Sequence, residues 1–374
     1  MKTRMFALLT ILALLVAACG GSTASPSASA SAASGKADYK ACLSLDTGGP
    51  TDKNFNQSAY EGLQTLEAEG FQIAYTTAVD DSSYAPNIQQ LIDQGCNTVI
   101  AVGYNQGTAL VAAVQDAANA KISFGWVDST WDETTNGPTP ANFTGLDFQI
   151  DEASMLAAYL AAGISKTHVI ATYGGAPYPG VTRFMDGWVA GANYYSTSKG
   201  VKTTVLGWTP GVGGKAGSGT FNPSSSPFND VVFGKTTAEG FVGQKADVVH
   251  AVAGTTGNGS YQYMMDKGLY SVGVDLDQCV SEPEFCGTLL TSAQKNIGAA
   301  VIGAVEANFG GDLGGHNYTG TLKNGGVQIA TLDRTEATWI ATFGSLVTPA
   351  LKAEVDALKA AIIDGSVKVS DYLK

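Results

Sequence analysis

The amino-acid sequence predicts an α/β protein built from two doubly wound, Rossmann-like lobes. Short apolar runs alternate with helix-like segments along most of the chain, which is typical of parallel sheets made of βαβ units. The alternation occurs in two series, one over residues 39–127 and one over residues 152–274. The 374-residue chain is long enough for two domains, and 44% hydrophobic residues are enough to fill a core in each.

The first series begins with a short apolar strand and ends with another. One of its helices begins near Pro86 and stops before Gly95, as helix boundaries commonly do. The predicted strands of this series are 39–45, 71–79, 98–102 and 122–127, and its predicted helices are 56–69, 86–94 and 107–120.

The second series repeats the alternation and is followed by a C-terminal helix. Its predicted strands are 168–173, 203–208, 248–253 and 270–274, and its predicted helices are 152–162, 183–195, 234–243 and 260–266. The C-terminal helix, 350–364, has apolar residues on one face, and we expect that face to pack on a lobe. These residues are Leu351, Val355, Leu358 and Ile362.

Several polar, aromatic or glycine residues stand directly after predicted strands. Ligands of doubly wound sheets bind beyond the carboxyl ends of the strands, so these positions are candidates for a binding site. A long loop at 207–230, rich in Gly, Ser and Pro, also follows a strand, and loops of that length usually have a functional reason. The strand-end candidates are Asp46, Tyr104, Asp128, Gly254 and Asp275.

The N-terminus predicts export. Lys2 and Arg4 precede an uncharged apolar run at 6–18, which is shorter than the roughly 20 residues that span a bilayer and is typical of a secretory signal over residues 1–18. The run ends in Leu-Val-Ala-Ala-Cys19-Gly, which resembles a bacterial lipobox with Cys19 as the lipidated residue. The alternative is a plain signal with an incidental cysteine. Residues 19–36 are predicted to be a flexible tether, since their Ser, Ala and Gly cannot form a core.

The net charge of −12 and the pI of about 4.6 argue against nucleic-acid binding, which needs a basic face. Export permits disulfides, and Cys279 and Cys286 flank a short loop and are the plausible pair. For Cys42 and Cys96 the expectation is buried, inert thiols. The sequence has no CxxC motif or Cys/His cluster that would indicate zinc.

A set of motifs occurs in a fixed order along nearly the whole mature chain. They are Asp46-Thr-Gly-Gly-Pro-Thr-Asp52-Lys-Asn-Phe55-Asn56-Gln-Ser-Ala, Tyr84-Ala-Pro-Asn-Ile, Gly145-Leu-Asp-Phe, Gly180-Val-Thr-Arg-Phe-Met-Asp-Gly-Trp, Ala253-Gly-Thr-Thr-Gly-Asn-Gly, Gly273-Val-Asp275-Leu-Asp277-Gln and Leu290-Thr-Ser-Ala-Gln-Lys295. Their order makes the set more specific than any one of them. The set resembles the basic membrane protein family, the nucleoside-binding lipoproteins of ABC importers that include the purine nucleoside receptors.

The resemblance implies a type I periplasmic-binding-protein fold with a ligand cleft between two hinged lobes. We expect lobe 1 at 37–147 plus 295–312, and lobe 2 at 148–294 plus 313–374. It further implies a monomer without cofactor that delivers a nucleoside or similar small solute to ABC permease subunits. Its contact with the membrane would be through the lipid anchor only, on the extracytoplasmic face.

The resemblance also implies roles for individual residues. Phe55 matches the first of two aromatic residues that sandwich the base, and the second is Phe228 or Phe221, because the register of the expanded loop is open. Asp128 matches the aspartate at the purine edge, to which Asn56 could add a hydrogen bond. Asp275 and Lys295 match the ribose-binding pair, while Gly254 would let the backbone approach the ligand. Of Asp46 and Asp52, one would contact the ligand and the other would cap the following helix, and the sequence leaves open which is which.

The sequence departs from the family pattern in ways that leave the ligand open. Ser83 precedes Tyr84 where the family often has Asp, the loop at 211–226 is expanded, and Tyr104, Trp126 and Trp131 lie near strand ends. A sugar or another cyclic solute is therefore the alternative ligand, and a ligand sensor is the alternative role. An enzyme is disfavoured, because none of the three histidines, His168, His250 and His316, lies in a triad or metal motif.

Overall fold

The computed structural model describes residues 35–211 and 215–373, and the predicted signal, Cys19 and most of the predicted tether lie outside these residues. The first part of the described chain alternates strand and helix. Its elements are β1 (Lys40–Leu45), α1 (Phe55–Ala68), β2 (Gln72–Thr77), α2 (Tyr84–Asp93), β3 (Thr98–Val102), α3 (Gly107–Gln115), β4 (Ser123–Val127), α4 (Glu133–Asn136) and β5 (Phe143–Phe148).

The middle of the chain continues the alternation with a small hairpin inserted. Its elements are α5 (Ile150–Ile164), β6 (Val169–Gly174), α6 (Pro179–Lys199), β7 (Thr204–Leu206), β8 (Trp208–Thr209), β9 (Ser218–Gly219), α7 (Val231–Gly243), β10 (Val248–Val252), α8 (Thr256–Asp266), β11 (Tyr270–Asp275), α9 (Gln278–Ser281) and β12 (Leu289–Lys295). The last part comprises α10 (Ile297–Phe309), β13 (His316–Gly320), β14 (Val327–Ile329), α11 (Ala337–Phe343) and α12 (Pro349–Asp364).

Two six-stranded sheets organise the described residues. The first has the order β13-β5-β4-β3-β1-β2 and is parallel throughout. The second has the order β14-β12-β11-β10-β6-β7 and is parallel except for the edge strand β14. Central strands such as β3 and β4 are buried at every position, as expected where helices cover both faces of a parallel sheet. This arrangement confirms the prediction of two doubly wound lobes.

The chain crosses between the sheets three times, after β5, after β12 and after β13. The expected lobe boundary at 312/313 is wrong, because β13 pairs in parallel with β5 and extends lobe 1 to Gly320. Lys295 was expected to open the return to lobe 1, but it is the last residue of β12 and pairs with Val327 in the second sheet. From Gly35 onward the chain forms one compact unit.

Helix packing connects the sequence pattern to the core. The four apolar residues of α12 are all buried, as predicted, and Leu351 lies against Gly163 of α5. In lobe 1, α1 and α10 approach so closely that a Cβ on Gly62 would lie 2.6 Å from the carbonyl oxygen of Gly298. Since no side chain fits between the two backbones, glycine is required at this crossing.

Both pairs of described cysteines are disulfide-bonded. Cys279 and Cys286 are joined across their short loop. The expectation of free, inert thiols at Cys42 and Cys96 is wrong, since these residues are also joined. Cys42 lies in β1 and Cys96 directly precedes the neighbouring strand β3, and this pairing of strands brings the two side chains together.

Candidate functional site

A cavity of about 950 Å³ lies between the two sheets, where the carboxyl ends of strands from both lobes meet. Its volume is within the range of small-molecule sites. All nine residues that the sequence indicated for ligand binding line this one cavity. They are Asp46, Asp52, Phe55, Asn56, Asp128, Phe228, Gly254, Asp275 and Lys295.

Lys295 connects the two lobes inside the cavity. Its Nζ donates to Asp128 Oδ2 at 2.5 Å and lies 3.8 Å from Asp275 Oδ1. Asp128 follows β4 of lobe 1, whereas Asp275 and Lys295 end β11 and β12 of lobe 2. The Lys295 side chain is only 2% exposed. The ammonium is therefore buried between carboxylates from opposite lobes.

The two aspartates adopt an unusual backbone conformation. Asp128 and Asp275 have φ of 64° and 62°, in the left-handed region that few non-glycine residues occupy. Such residues concentrate at functional sites, where surrounding structure holds them in place. Gly180, at the start of α6, makes room for Asp128, because a Cβ there would lie 2.5 Å from Asp128 Oδ2. The beginning of α6 thus approaches the carboxylate directly.

One carboxylate oxygen of Asp275 accepts no hydrogen bond from the described residues. This oxygen, Oδ1, is buried. Burial raises the pKa of Asp275 to about 7, against the opposing effect of the Lys295 ammonium. An unpartnered buried oxygen is costly and is usually satisfied by something that occupies the site. The lining of the cavity therefore offers a hydrogen-bond acceptor to a ligand.

Aromatic rings surround the charged group. Lys295 Nζ lies 5.4 Å from the ring centroid of Phe55 and 4.8 Å from that of Phe184. Phe228 also lines the cavity, and Gly175 leaves space for its ring, since a Cβ at Gly175 would lie 2.4 Å from it. The segment before α7 is fixed by Thr256, whose backbone N–H donates to the Phe228 carbonyl and whose hydroxyl donates to Pro227.

Phe221 occupies a different place from Phe228. It makes an edge contact with Trp208, at 5.8 Å between ring centroids, and its backbone bridges to Gly174. Phe221 is not among the residues that line the cavity. Of the two candidate aromatic residues left open by the sequence, Phe228 is the one that lines the described cavity.

Asp46 and Asp52, the two carboxylates of the opening motif, have different hydrogen-bond partners. Asp52 accepts hydrogen bonds from the backbone N–H groups of Asn54, Asn56 and Gln57 and from the Asn56 side chain, and so satisfies two N–H groups in the first turn of α1. Asp46 instead accepts from the Tyr84 hydroxyl at 2.6 Å and from Thr47 N–H. Burial raises the pKa of both carboxyl groups despite these bonds. Asp52 thus holds the N-terminus of the helix that carries Phe55, together with the N-cap residue Asn54.

Asn56 lines the cavity and is also hydrogen-bonded within the loop before α1. Its Oδ1 accepts from the Asp46 N–H at 3.0 Å, and its Nδ2 donates to Asp52 at 2.9 Å. Both ends of the amide are therefore engaged in holding the loop. In this arrangement Asn56 shapes the wall of the cavity.

A tyrosine pair spans the cleft and was not predicted as a pair. Tyr104 follows β3 in lobe 1, and Tyr178 precedes α6 in lobe 2. Their rings are stacked, with 5.2 Å between centroids and 28° between planes. Trp126 also stacks with Tyr104, at 6.2 Å between ring centroids, and the Phe228 ring centroid lies 6.0 Å from that of Tyr178. The sequence flagged Tyr104 and Trp126 at strand ends, and the same criterion applied to the loop after β6 would have found Tyr178.

Carboxylates dominate the charge of the described cavity lining. Six aspartates face one lysine there. An anionic group placed in the cavity would meet this excess of negative charge with one ammonium that is already paired. The lining therefore favours uncharged or cationic solutes. The aspartates are Asp46, Asp52, Asp80, Asp81, Asp128 and Asp275.

Two further properties concern the residues in the described ranges. They contain no cluster of three or more His, Cys, Asp or Glu side chains placed to hold a metal ion. None of their helices is both long enough and apolar enough to cross a membrane.

The fold and the site define a class of architecture, two α/β lobes with a cleft of small-molecule size between them. A solute-binding protein of an ABC transporter system from Aeropyrum pernix K1 has the same fold, with a TM-score of 0.74 at 20% identity over 88% of this chain and 92% of that one. The described architecture is thus a type I periplasmic-binding fold.

The chain belongs to the Bmp family, described as PnrA-like ABC transporter substrate-binding proteins, whose family model matches residues 40–210 and 224–341. It is 31% identical to the ABC transporter nucleoside-binding protein BmpA of Lactococcus lactis over 99% of each chain. It is 30% identical to basic membrane protein A of Borreliella burgdorferi over 67% of this chain and 66% of that one. Residues 211–223, which the family model leaves unmatched, belong to the expanded loop before Phe228.

Proposed function

We propose that this protein captures a nucleoside, of the purine class, in the cleft between its lobes and delivers it to an ABC permease. The arrangement of Lys295, Asp128 and the Asp275 oxygen that lacks a hydrogen-bond partner carries the proposal. It places a buried donor and buried acceptors from both lobes beside aromatic rings. The name of the Lactococcus relative, a nucleoside-binding protein, supports the same class of ligand.

The chemistry of a nucleoside matches this lining. A flat base gains from contact with aromatic faces, by about 1–3 kcal/mol for each stacked base, and Phe55 and Phe228 supply such faces. Asp128 is the proposed partner of the base edge, and Asp275 and Lys295 are the proposed partners of the sugar hydroxyls. Hydrogen bonds to charged groups are worth roughly 1.5–3 kcal/mol each, so these few residues suffice for tight binding.

The charge of the cavity sets a limit on the ligand. A nucleotide would bring its phosphate close to six aspartates and a single paired lysine. An uncharged nucleoside avoids this repulsion. The proposed ligand is therefore the nucleoside and not its phosphate ester.

The proposed location is the outer face of the cell membrane. Cys19 would be lipidated after removal of residues 1–18, and residues 20–36 would form the tether between the lipid and the folded part. An anchored receptor of this kind stays close to the permease that it serves. The protein would act as a monomer, without a cofactor and without catalysis.

The ligand itself provides the test. The folded part, residues 35–374, is purified under native conditions and then denatured, and the released small molecules are identified by mass spectrometry. A nucleoside in stoichiometric amount supports the proposal. A sugar or another solute in its place would reject the nucleoside and keep the binding role, while radiolabelled nucleoside uptake by a deletion strain separates import from sensing.

A further inference from the structure

A second set of contacts joins the lobes apart from Lys295. Lys53 lies in the lobe 1 loop before α1 and has a left-handed backbone, with φ of 62°. The Ser281 hydroxyl of lobe 2 donates to the Lys53 carbonyl oxygen at 2.8 Å. Lys53 Nζ in turn donates to Glu284 Oε1 at 3.1 Å. One residue of lobe 1 thus contacts two residues of lobe 2 through different groups.

Both partners of Lys53 belong to the loop 279–286, which the disulfide between Cys279 and Cys286 closes. The cysteines are seven positions apart along the chain, and their Cα atoms lie 4.2 Å from each other. Cross-linking so short a segment reduces the conformations open to Ser281 and Glu284. A segment ordered in advance loses less entropy when it makes a contact.

The loop is also attached firmly to lobe 2. Glu282, only 1% exposed, accepts from Asn258 Nδ2 at 2.7 Å and from Gln278 Nε2 at 3.1 Å. Gln278 Oε1 accepts from the Val274 N–H at 2.8 Å, which connects the loop to β11. Movement of lobe 2 therefore carries the loop with it, and the contacts with Lys53 break when the lobes separate.

We propose that the disulfide-closed loop 279–286 is an interlobe latch that holds Lys53 when the cleft is closed and slows the release of bound solute. The latch contacts the loop that carries Asp52 and leads into Phe55, so it also fixes one wall of the cavity. It concerns closure and therefore holds for whichever solute the cleft accepts. Loss of the partly buried hydrogen bond from Ser281 to Lys53 should make release roughly threefold to tenfold faster. Loss of the exposed ion pair between Lys53 and Glu284 should have a smaller effect.

The test compares the two disulfides of the chain. The Cys279→Ser/Cys286→Ser variant and Ser281→Ala are set against Cys42→Ser/Cys96→Ser, whose disulfide lies within lobe 1 away from Lys53. Release of a fluorescent nucleoside, 2-aminopurine riboside, is followed by stopped flow. We expect release to accelerate about threefold to tenfold in the two loop variants, with association changed less than about twofold and the control disulfide variant releasing at the wild-type rate.

Equal release rates in the loop variants and the wild type would overturn the latch, as would the same acceleration in the control variant. Small-angle X-ray scattering of the ligand-free protein is the second readout. The latch predicts a larger radius of gyration for the loop variants than for the wild type, and identical scattering contradicts it. If the wild type binds no nucleoside, the proposed ligand fails while scattering still decides on the latch.

Discussion

The Lys295 ammonium and the Asp128 carboxylate meet at 2.5 Å although they belong to different lobes. Lys295 is 3% exposed, so the pair exists in a closed cleft from which most water is excluded. Asp275 completes the group at 3.8 Å. The same three residues therefore tie the lobes together and present the charged groups that we assign to the ligand.

Replacement of Lys295 by methionine should cost both stability and binding. Two buried carboxylates would lose their counter-charge, and removal of one partner of a buried pair costs about 3–5 kcal/mol. Urea unfolding of Lys295→Met should show that loss in the free energy of unfolding. Lys199→Met is the matched control, because Lys199 forms an ion pair with Glu354 in which both side chains are about one-third exposed. Loss of that exposed pair should lower the free energy of unfolding by less than about 1 kcal/mol. Equal costs at the two lysines would contradict the account.

Asp275 should make stability depend on pH. Burial raises its pKa from the ordinary 3.8 to about 7, so between those values the folded state holds a proton that the unfolded state has lost. The contribution of this group to stability then falls as pH rises from 4 to 7. Asp275→Asn should therefore gain melting temperature relative to the wild type at pH 8, with a smaller gain at pH 5. A difference between the two proteins that stays constant from pH 5 to pH 8 would refute the raised pKa.

Phe228 and Phe221 should have separable effects. Phe228→Ala should weaken nucleoside binding by about fivefold to 150-fold, the equivalent of about 1–3 kcal/mol of stacking. Phe221→Ala should mainly lower stability, by less than the roughly 3–5 kcal/mol typical of a fully buried phenylalanine, since Phe221 is partly buried and packs against Trp208. Calorimetric titration and urea unfolding of both variants measure the two effects. The opposite pattern would return the stacking role to Phe221.

The bond between Cys42 and Cys96 should stabilise lobe 1. It closes a segment of 54 positions, for which loop-closure entropy predicts a contribution of about 4 kcal/mol and typical measured contributions are about 2–4 kcal/mol. Cys42→Ser/Cys96→Ser should lower the free energy of unfolding by that amount in the absence of reductant. The control places both proteins in a background that carries Cys279→Ser/Cys286→Ser. In that background, reduction with dithiothreitol should abolish the difference in the free energy of unfolding between the proteins with and without the Cys42–Cys96 bond, and a difference that persists would show that the bond does not account for it.

Local pattern was enough to predict much of the scaffold. The strand expected at 122–127 is observed at Ser123–Val127, and Asp128 follows it as expected. The apolar face of α12 could be predicted from the spacing of its apolar residues, because helical periodicity is contained within one short stretch of sequence. The strand-end criterion also found Asp275, and the ordered family motifs added Lys295. No local pattern contains the contact of Lys295 with Asp128.

The features that were missed depend on contacts between distant parts of the chain. The pairing of β13 with β5 could not be predicted from the sequence of β13, because β5 lies more than 160 residues earlier. Cysteine spacing cannot assign the Cys42–Cys96 pairing, since it depends on β1 lying beside β3. The separate tasks of Asp46 and Asp52 are likewise decided by hydrogen-bond geometry and not by residue type.

Calorimetric titration of residues 35–374, unfolded and refolded to remove retained ligand, tests the central claim most directly. The titrants are adenosine, inosine, guanosine and uridine, with adenosine 5′-monophosphate and ribose as controls. The account predicts tight binding of at least one purine nucleoside, binding of the monophosphate weaker by at least roughly tenfold, and no binding of ribose alone. Binding of ribose or another sugar without any nucleoside would contradict it.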